Sequence, residues 1–316
     1  MDEMKGNSMA VFNSNDIYPI SADSELPFEQ HRDIFHLSGI DQEETILLLY
    51  PPSKDDKTRE ILFIRKSDNH TKVWEGEKLS KKQANELSGI DSIYFIDDFK
   101  DILSSIASQV DTFYINKNEH YRANSPVETR EDRFISWLLK KYPAHNVAKS
   151  NPILQRQRSI KHPHEIEQIK RACEITKKGF KRVLKFIKPN IWEYEIEAEF
   201  IHEFINNSSK GFAYSPIIAS GNDNNVLHYI KNNKQCKSGE LILMDVGAEY
   251  GNYSSDMTRT VPVSGKFSKR QKEIYNAVLR VKNEASKLLT VGNNWKLFHE
   301  QVGEIMTKQL LDIGLI

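Results

Sequence analysis

Short apolar runs separated by polar segments fill the first half of the chain. Runs of four to six apolar or mixed residues, bounded by turn-forming residues, are typical of strands in a buried sheet. Such runs lie at residues 9–13, 45–50, 60–64 and 92–96, with a weaker strand candidate at 34–37. Residues 98–109 and 131–141 instead have helical spacing, with Phe134, Trp137 and Leu138 on one face of the second. We therefore expect a mixed α/β domain.

The second half begins with longer helical patterns. A helix is predicted to start at Pro163 and to end at Pro189, because proline fits the first turn of a helix but not its interior. Further helices are predicted at about 193–206, 268–289 and 295–311. Cys173 falls within the first helical pattern and is predicted to be a small core residue. Strand-like runs at 215–220 and 226–230 are separated by a Gly/Asn-rich turn at 221–225.

Two aspartates flank a predicted β-hairpin. Asp245 follows the apolar run 241–244, and Asp256 precedes a second strand-like run at 257–261. The turn at 249–252 between them would place the strands side by side, so that the two carboxylates converge. A buried carboxylate is costly unless something pairs with it, and oxygen ligands favour Mg, Ca or Mn. The pattern indicates a cation site.

Simpler roles for these residues remain open at this point. An aspartate at a strand end is commonly a turn former or a salt-bridge partner, and Arg259 is the obvious counter-ion. His228 lies in a strand-like segment, where a histidine is commonly a core residue bonded to the backbone. Beside a metal-carboxylate cluster it could instead donate a proton or hold a substrate carbonyl, because its pKa lies near working pH.

Composition limits the classes of function. The 316 residues suit two domains, divided near residue 155 into segments 1–155 and 156–316. Lys+Arg and Asp+Glu both number 44, so a net charge of zero gives no support for nucleic-acid binding. No apolar stretch approaches a membrane span, and two cysteines make no disulfide framework, which favours a cytoplasmic protein.

Several long motifs carry a resemblance to a known family. The segments GNDNNVLHY and ELILMDVGAEYGNYSSDMTRTVPVSGKFSKRQKEIY resemble the aminopeptidase P metallopeptidases, which are related to prolidase, methionine aminopeptidase and creatinase. ADSELPFEQHRDIFHLSGI and KVWEG resemble the amino-terminal domain of aminopeptidase P itself. The resemblance covers essentially the whole chain. It implies a mixed-sheet α/β domain followed by a pita-bread domain, an α+β arrangement in which helices cover a curved antiparallel sheet.

The resemblance also implies an activity and a set of site residues. The family removes the N-terminal residue from peptides whose second residue is proline, using a hydroxide bridged by two divalent metals, usually manganese. By matching position, Asp245 would bind one metal and Asp256 would bridge both. His228 would contact the substrate and stabilise the tetrahedral intermediate, and Tyr214 would lie in the active site. Trp74 would reach the site of a neighbouring subunit, so a homo-oligomer is expected.

The chain departs from the family pattern downstream of Asp256. The family site needs five ligands, and the later histidine and two glutamates have no match here, so three of the five are missing. We therefore expect an incomplete pita-bread domain from a longer parent, with weak or no activity alone. A non-catalytic binding or subunit-pairing module, and a prolidase-like dipeptidase, are the alternatives.

Overall fold

The computed structural model describes residues 1–120 and 125–316, which form two compact units. The first unit is Met1–Lys161 and the second is His162–Ile316. The predicted division near residue 155 falls inside a helix, Asn151–Ser159, so the first unit ends after that helix. None of the described helices is both long enough and apolar enough to cross a lipid bilayer.

The first unit is built on one six-stranded mixed sheet. Its strands are β1 (Ser8–Asn13), β2 (Ile46–Leu49), β3 (Glu60–Ile64), β4 (Ser92–Phe95), β5 (Thr112–Ile115) and β6 (Asn146–Lys149). Their order is β4-β3-β2-β1-β5-β6, with β2 antiparallel to both of its neighbours and the remaining pairs parallel. The strands predicted at 9–13, 45–50, 60–64 and 92–96 are all present.

Helices cover both faces of this sheet. They are α1 (Arg32–Ser38), α2 (Asn69–Trp74), α3 (Lys81–Ser88), α4 (Phe99–Ala107), α5 (Arg130–Lys141) and α6 (Asn151–Ser159). Successive residues of a strand point to opposite faces, so Met9 and Val11 pack with α4 and α5, whereas Ala10 and Phe12 belong to a second cluster with Ile34. Burial on both faces explains why these strands are continuous apolar runs.

The strand predicted at 34–37 is wrong, because these residues belong to helix α1. The His31 side chain accepts from the backbone N–H of Asp33 at the start of the helix, and Gly39, with φ of 69°, ends it. A run this short has no periodicity that separates a strand from a single helical turn, and the flanking caps decide for the helix.

The second unit combines four helices with two small antiparallel sheets. Its helices are α7 (Pro163–Phe186), α8 (Glu193–Asn206), α9 (Lys269–Leu288) and α10 (Trp295–Asp312). Its strands are β7 (Gly211–Phe212), β8 (Ile217–Ser220), β9 (Leu241–Val246), β10 (Ala248–Tyr250), β11 (Tyr253–Ser254) and β12 (Met257–Pro262). The sheet orders are β11-β10-β7 and β12-β9-β8. All four predicted helices and the aspartate hairpin are present.

The core of the second unit lies between helices α7 and α8 and one face of the β12-β9-β8 sheet. Helix α7 supplies Ile175 and Phe180, helix α8 supplies Phe200, and strand β9 supplies Ile242 and Met244. The opposite, free face of β9 carries the half-buried Leu241, Leu243 and Asp245, and Leu243 packs there against a small cluster of Ile217, Ala219 and Tyr229. This division of the sheet into a core face and a free face positions the candidate site.

Two predictions for the second unit are wrong. Residues 226–230 form no strand, because only Tyr229 is buried and side-chain bonds hold this segment in place of a backbone ladder. Cys173 is exposed, since it lies on the solvent side of α7 beside the buried Ala172.

Candidate functional site

Asp245 lies on the free face of the central strand β9. Its neighbours Met244 and Val246 are fully buried on the core side, so the period of two along the strand turns Asp245 away from the core. On the adjacent strand β8 it pairs with Ile217, and on β12 it pairs with Thr258. A half-buried carboxylate is thus held by a strand that is hydrogen-bonded on both sides.

Asp256 lies two residues before Thr258, the register partner of Asp245. Side chains two residues apart point to the same face of a sheet, so register brings Asp256 to the face that carries Asp245. The hairpin geometry expected from the sequence is confirmed. The chain between β9 and β12 makes a second excursion, through β10 and β11, before it returns to Asp256.

Gly247 permits the close approach of these segments. A Cβ atom added at this position would lie 1.8 Å from the carbonyl oxygen of Ser255 and 3.1 Å from Cε1 of Tyr214. No side chain can therefore be accommodated between the end of β9 and the residue that precedes Asp256. The backbone N–H of Ala213 donates to the carbonyl of Gly247 at 2.8 Å, which brings Tyr214 alongside.

A buried hydroxyl pair anchors the segment that carries Asp256. The hydroxyls of Thr176 on α7 and Ser255 are 2.6 Å apart, and both residues are almost fully buried. The backbone N–H of Ala248 donates to both hydroxyl oxygens, at 2.9 and 3.0 Å. Buried polar groups joined in this way hold a unique local conformation, so α7 fixes the position of the residue adjacent to Asp256.

Tyr214 joins the two carboxylates. Its hydroxyl lies 2.7 Å from Oδ1 of Asp245 and 3.1 Å from Oδ1 of Asp256, so its single proton is shared between the two carboxylate acceptors. Burial, together with the hydrogen bond to Asp245 and the charges of both carboxylates, raises the pKa of Tyr214 well above its ordinary value. The phenol therefore stays protonated at neutral pH and bridges two anionic groups.

His228 lines the same cleft as these three residues. The cleft has a volume of about 450 Å³, and Ser215, Ile217 and Ile230 complete its lining. His228 itself is exposed, on the segment that follows the short 3₁₀ turn Gly221–Asn225. Asp245, Asp256, Tyr214 and His228 are thus brought together, although they come from three separate stretches of the sequence.

The two carboxylates supply the oxygen ligands that a hard divalent cation prefers, but two residues are too few to complete its coordination. Both supply oxygen donors, and no lysine or arginine of the described ranges forms an ion pair with either. Arg259, the alternative counter-ion, donates to the carbonyl of Thr258. Within residues 1–120 and 125–316, no group of three or more His, Cys, Asp or Glu side chains could hold a metal ion. Water or other groups would have to complete the coordination of a cation here.

Trp74 lies in the first unit rather than in this cleft. It is the last residue of α2, and 76% of its surface is exposed. The next residue, Glu75, accepts hydrogen bonds from both terminal nitrogens of Arg65, at 2.6 and 2.7 Å. This ion pair, extended by Lys78 and Glu43, fixes the end of the helix that presents the indole ring.

Comparison with known proteins identifies the family. Residues 1–114 match the profile of the aminopeptidase P N-terminal domain, and residues 167–315 match that of metallopeptidase family M24. The chain is 31% identical to the Xaa-Pro aminopeptidase of Haemophilus influenzae over 317 aligned positions, which cover 99% of this chain and 70% of that protein. The chain belongs to the aminopeptidase P family. Human Xaa-Pro aminopeptidase 3 is 29% identical, with 60% of its length covered.

Solved aminopeptidase P structures share the fold. A structure described as a putative aminopeptidase P from Bacillus anthracis superposes with a TM-score of 0.93 at 30% identity, covering all of this chain and 75% of that one. A zinc-substituted Escherichia coli aminopeptidase P in complex with product gives a TM-score of 0.89 at 29% identity, with 72% of that chain covered. The predicted α/β fold, with an N-terminal mixed sheet and a pita-bread-type second unit, is confirmed. The family is one of metallo-hydrolases.

The sequence patterns do not indicate the two residues that support the segment carrying Asp256. Thr176 lies within a predicted helix, and Ser255 lies within the motif that contains Asp256. Two hydroxyl residues directly before a candidate ligand, Ser254 and Ser255, were the available signal, but the partner on α7 lies too far away in sequence for any local pattern to indicate it.

Proposed function

We propose that this chain carries the substrate-binding and part of the metal-binding site of an Xaa-Pro aminopeptidase. The observation that supports this most directly is the convergence of Asp245 and Asp256 on one hydroxyl, that of Tyr214, at the edge of an open cleft. Oxygen donors held without a basic partner suit a hard divalent cation, and the relatives from Haemophilus influenzae and Escherichia coli are Xaa-Pro aminopeptidases.

Asp245 and Asp256 are the proposed ligands. A bound divalent metal supplies a water nucleophile that is ionised at neutral pH. Asp245 is the more rigidly held of the two, because its strand is paired on both sides, whereas Asp256 depends on Ser255 and Thr176 for its position. Tyr214 keeps the two carboxylates together by donating between them.

His228 is the proposed substrate-contacting residue. It lines the cleft from a segment separate from β9 and β12. An imidazole can donate a hydrogen bond to the carbonyl oxygen of the scissile bond, and this hydrogen bond becomes stronger as negative charge develops on that oxygen. The apolar side chains of Ile217 and Ile230 line the cleft beside it.

Trp74 is proposed to contact substrate in a neighbouring subunit of a homo-oligomer. Two observations support this proposal: the indole of Trp74 is largely exposed and so available for contact, and the Arg65–Glu75 ion pair holds the end of its helix in a fixed place. Manganese is the proposed metal, and the cytoplasm is the proposed location, since both cysteines are free thiols.

Two measurements test this function. Calorimetric titration with Mn²⁺ should give a dissociation constant above about 10⁻⁴ M, because only two carboxylates contribute to binding. Asp245→Asn and Asp256→Asn should each abolish it, whereas Asp312→Asn, on the exposed end of α10, should not. Hydrolysis of an Xaa-Pro tripeptide with added Mn²⁺ should be slow and should depend on the same two residues.

Binding of Mn²⁺ that survives Asp245→Asn would contradict the assignment of the site. Comparison of an Xaa-Pro dipeptide with the tripeptide separates the aminopeptidase from a prolidase-like enzyme, since the latter would prefer the dipeptide. Rapid turnover by the chain, if abolished by Asp245→Ala, would show that further ligands complete the site and that the expected weak activity is wrong.

A further inference from the structure

Glu193 is a buried carboxylate outside the cleft described above. It is the first residue of α8 and has no exposed surface. Its Oε1 accepts from the backbone N–H and from the hydroxyl of Ser220, both at 2.7 Å. Its Oε2 accepts from the hydroxyl of Tyr229 at 2.8 Å and from the backbone N–H of Lys234 at 2.9 Å.

These donors mark the start, the middle and the end of one segment, residues 221–234. Ser220 immediately precedes the segment, Tyr229 lies within it and Lys234 ends it. The segment contains no strand, so side-chain hydrogen bonds hold it in place where backbone hydrogen bonds between strands would hold a sheet. Tyr229 is buried at 8% exposure, whereas the adjacent His228 is exposed to the cleft.

The charge of Glu193 is compensated by hydrogen bonds rather than by a cation. No lysine or arginine of the described ranges forms an ion pair with it, and the ammonium of Lys234 pairs instead with Asp223 at 2.8 Å. Burial and the Glu193 carboxylate raise the pKa of Tyr229 above its ordinary value, and burial followed by the same carboxylate raises the pKa of Cys236 to about 11. A buried carboxylate with its acceptor sites filled holds its donors firmly, because each donor freed from it would lose a charge-assisted bond.

We infer that Glu193 is a positioning residue that fixes the conformation of segment 221–234 and, through Tyr229, the position of His228. This inference deepens the proposed function, since it rests on His228 as the substrate-contacting residue. The carboxylate gathers both ends of the segment at one point, and the hydroxyl of Tyr229 ties its middle to the same point. His228, one residue away, can then face the cleft from only a narrow range of positions.

Hydrogen exchange measured by mass spectrometry tests the structural part. Glu193→Gln keeps the size of the side chain but replaces one acceptor oxygen by an NH₂ group. This donor would then face other donors, such as the backbone N–H of Lys234, and could not bond them. We expect exchange in residues 221–234 to become at least about tenfold faster, with β9 and α7 unchanged. Tyr229→Phe removes one hydroxyl without enlarging the side chain, and should speed exchange around His228 alone.

A matched control lies on the same helix. Glu195→Gln retains an acceptor for the backbone N–H of Trp192 and touches no residue of the segment, so exchange should match the wild type. Unchanged exchange in 221–234 for both Glu193→Gln and Tyr229→Phe would overturn the inference. So would an increase spread evenly over the second unit, because that result would mean general destabilisation rather than control of one segment.

A double-mutant cycle on peptide affinity tests the link to His228. With Ala-Pro-Ala as the probe, Glu193→Gln should weaken binding, and combining it with His228→Ala should give little further loss. Combination with Tyr214→Phe should be closer to additive. The positioning role would be overturned if Glu193→Gln speeds hydrogen exchange in the segment without weakening peptide binding, although His228→Ala does weaken it. If His228→Ala does not change the affinity for the peptide, the proposed role of His228 fails. The exchange rates alone then test whether Glu193 orders the segment.

Discussion

Replacement of Gly247 by alanine should disturb the whole site through one added carbon atom. The new Cβ would lie 1.8 Å from the carbonyl oxygen of Ser255 and 2.7 Å from its carbonyl carbon. Ordinary contact requires a separation of about 3.4 Å, so backbone must move by about 1.5 Å to relieve the overlap. Both obstructing atoms belong to the backbone of the residue before Asp256, and the Tyr214 ring blocks movement on another side at 3.1 Å.

The movement has two measurable consequences. Overpacking of this kind costs about 1–3 kcal/mol of unfolding free energy, which corresponds to a fall of about 2–12 °C in the unfolding midpoint of a unit of this size. Displacement of Asp256 by about 1 Å should also weaken Mn²⁺ binding and any peptide hydrolysis by about 10²-fold. The bond of 3.1 Å from Tyr214 to Asp256 should be lost first, since it is the longer of the two.

Denaturation and metal titration of Gly247→Ala, beside Gly303→Ala, measure both effects. Gly303 lies inside α10, and a Cβ added there meets no atom within 4 Å. Alanine at that position should therefore stabilise the helix slightly, by about 0.5–1 kcal/mol. The reasoning is refuted if Gly247→Ala unfolds at the wild-type midpoint and binds Mn²⁺ as the wild type does, or if Gly303→Ala is equally damaging.

Three further predictions concern single groups. Because the pKa of Tyr214 is higher in the folded state than in the unfolded state, its contribution to stability is fully present below about pH 10 and is lost as the pH rises above that value. The unfolding free energies of wild type and Tyr214→Phe should therefore converge above about pH 10. A constant difference between the two proteins over this range would contradict the prediction. Native protein should react with a thiol reagent at the exposed Cys173 only, because Cys236 is buried with a pKa raised to about 11, and labelling of two thiols before unfolding would refute it. Thr176→Val should cost about 0.5–1.5 kcal/mol, because its hydrogen bonds to Ser255 and to the backbone N–H of Ala248 are lost while those two groups still bond each other, and Thr176→Ser should recover most of that loss in urea denaturation.

Local patterns accounted for most of the secondary structure and for the candidate ligands. Buried strands and amphipathic helices repeat over a few residues, so their periods are visible in the sequence alone. The pattern was insufficient where a segment was short. Residues 34–37 form one helical turn whose caps decide its type, and residues 226–230 resemble a strand in sequence but are held by the bond from Tyr229 to the side chain of Glu193.

The sequence by itself determined the family, the two-part organisation and the placement of Asp245 and Asp256 at facing strand ends, because each of these depends on residues close together in the chain. Only the tertiary structure decided which distant groups meet. The pairing of Tyr214 with both carboxylates and the capture of Tyr229 by Glu193 join residues far apart in sequence. Such contacts follow from strand register and helix packing, which sum many weak interactions over the whole unit and leave no local signal in the chain.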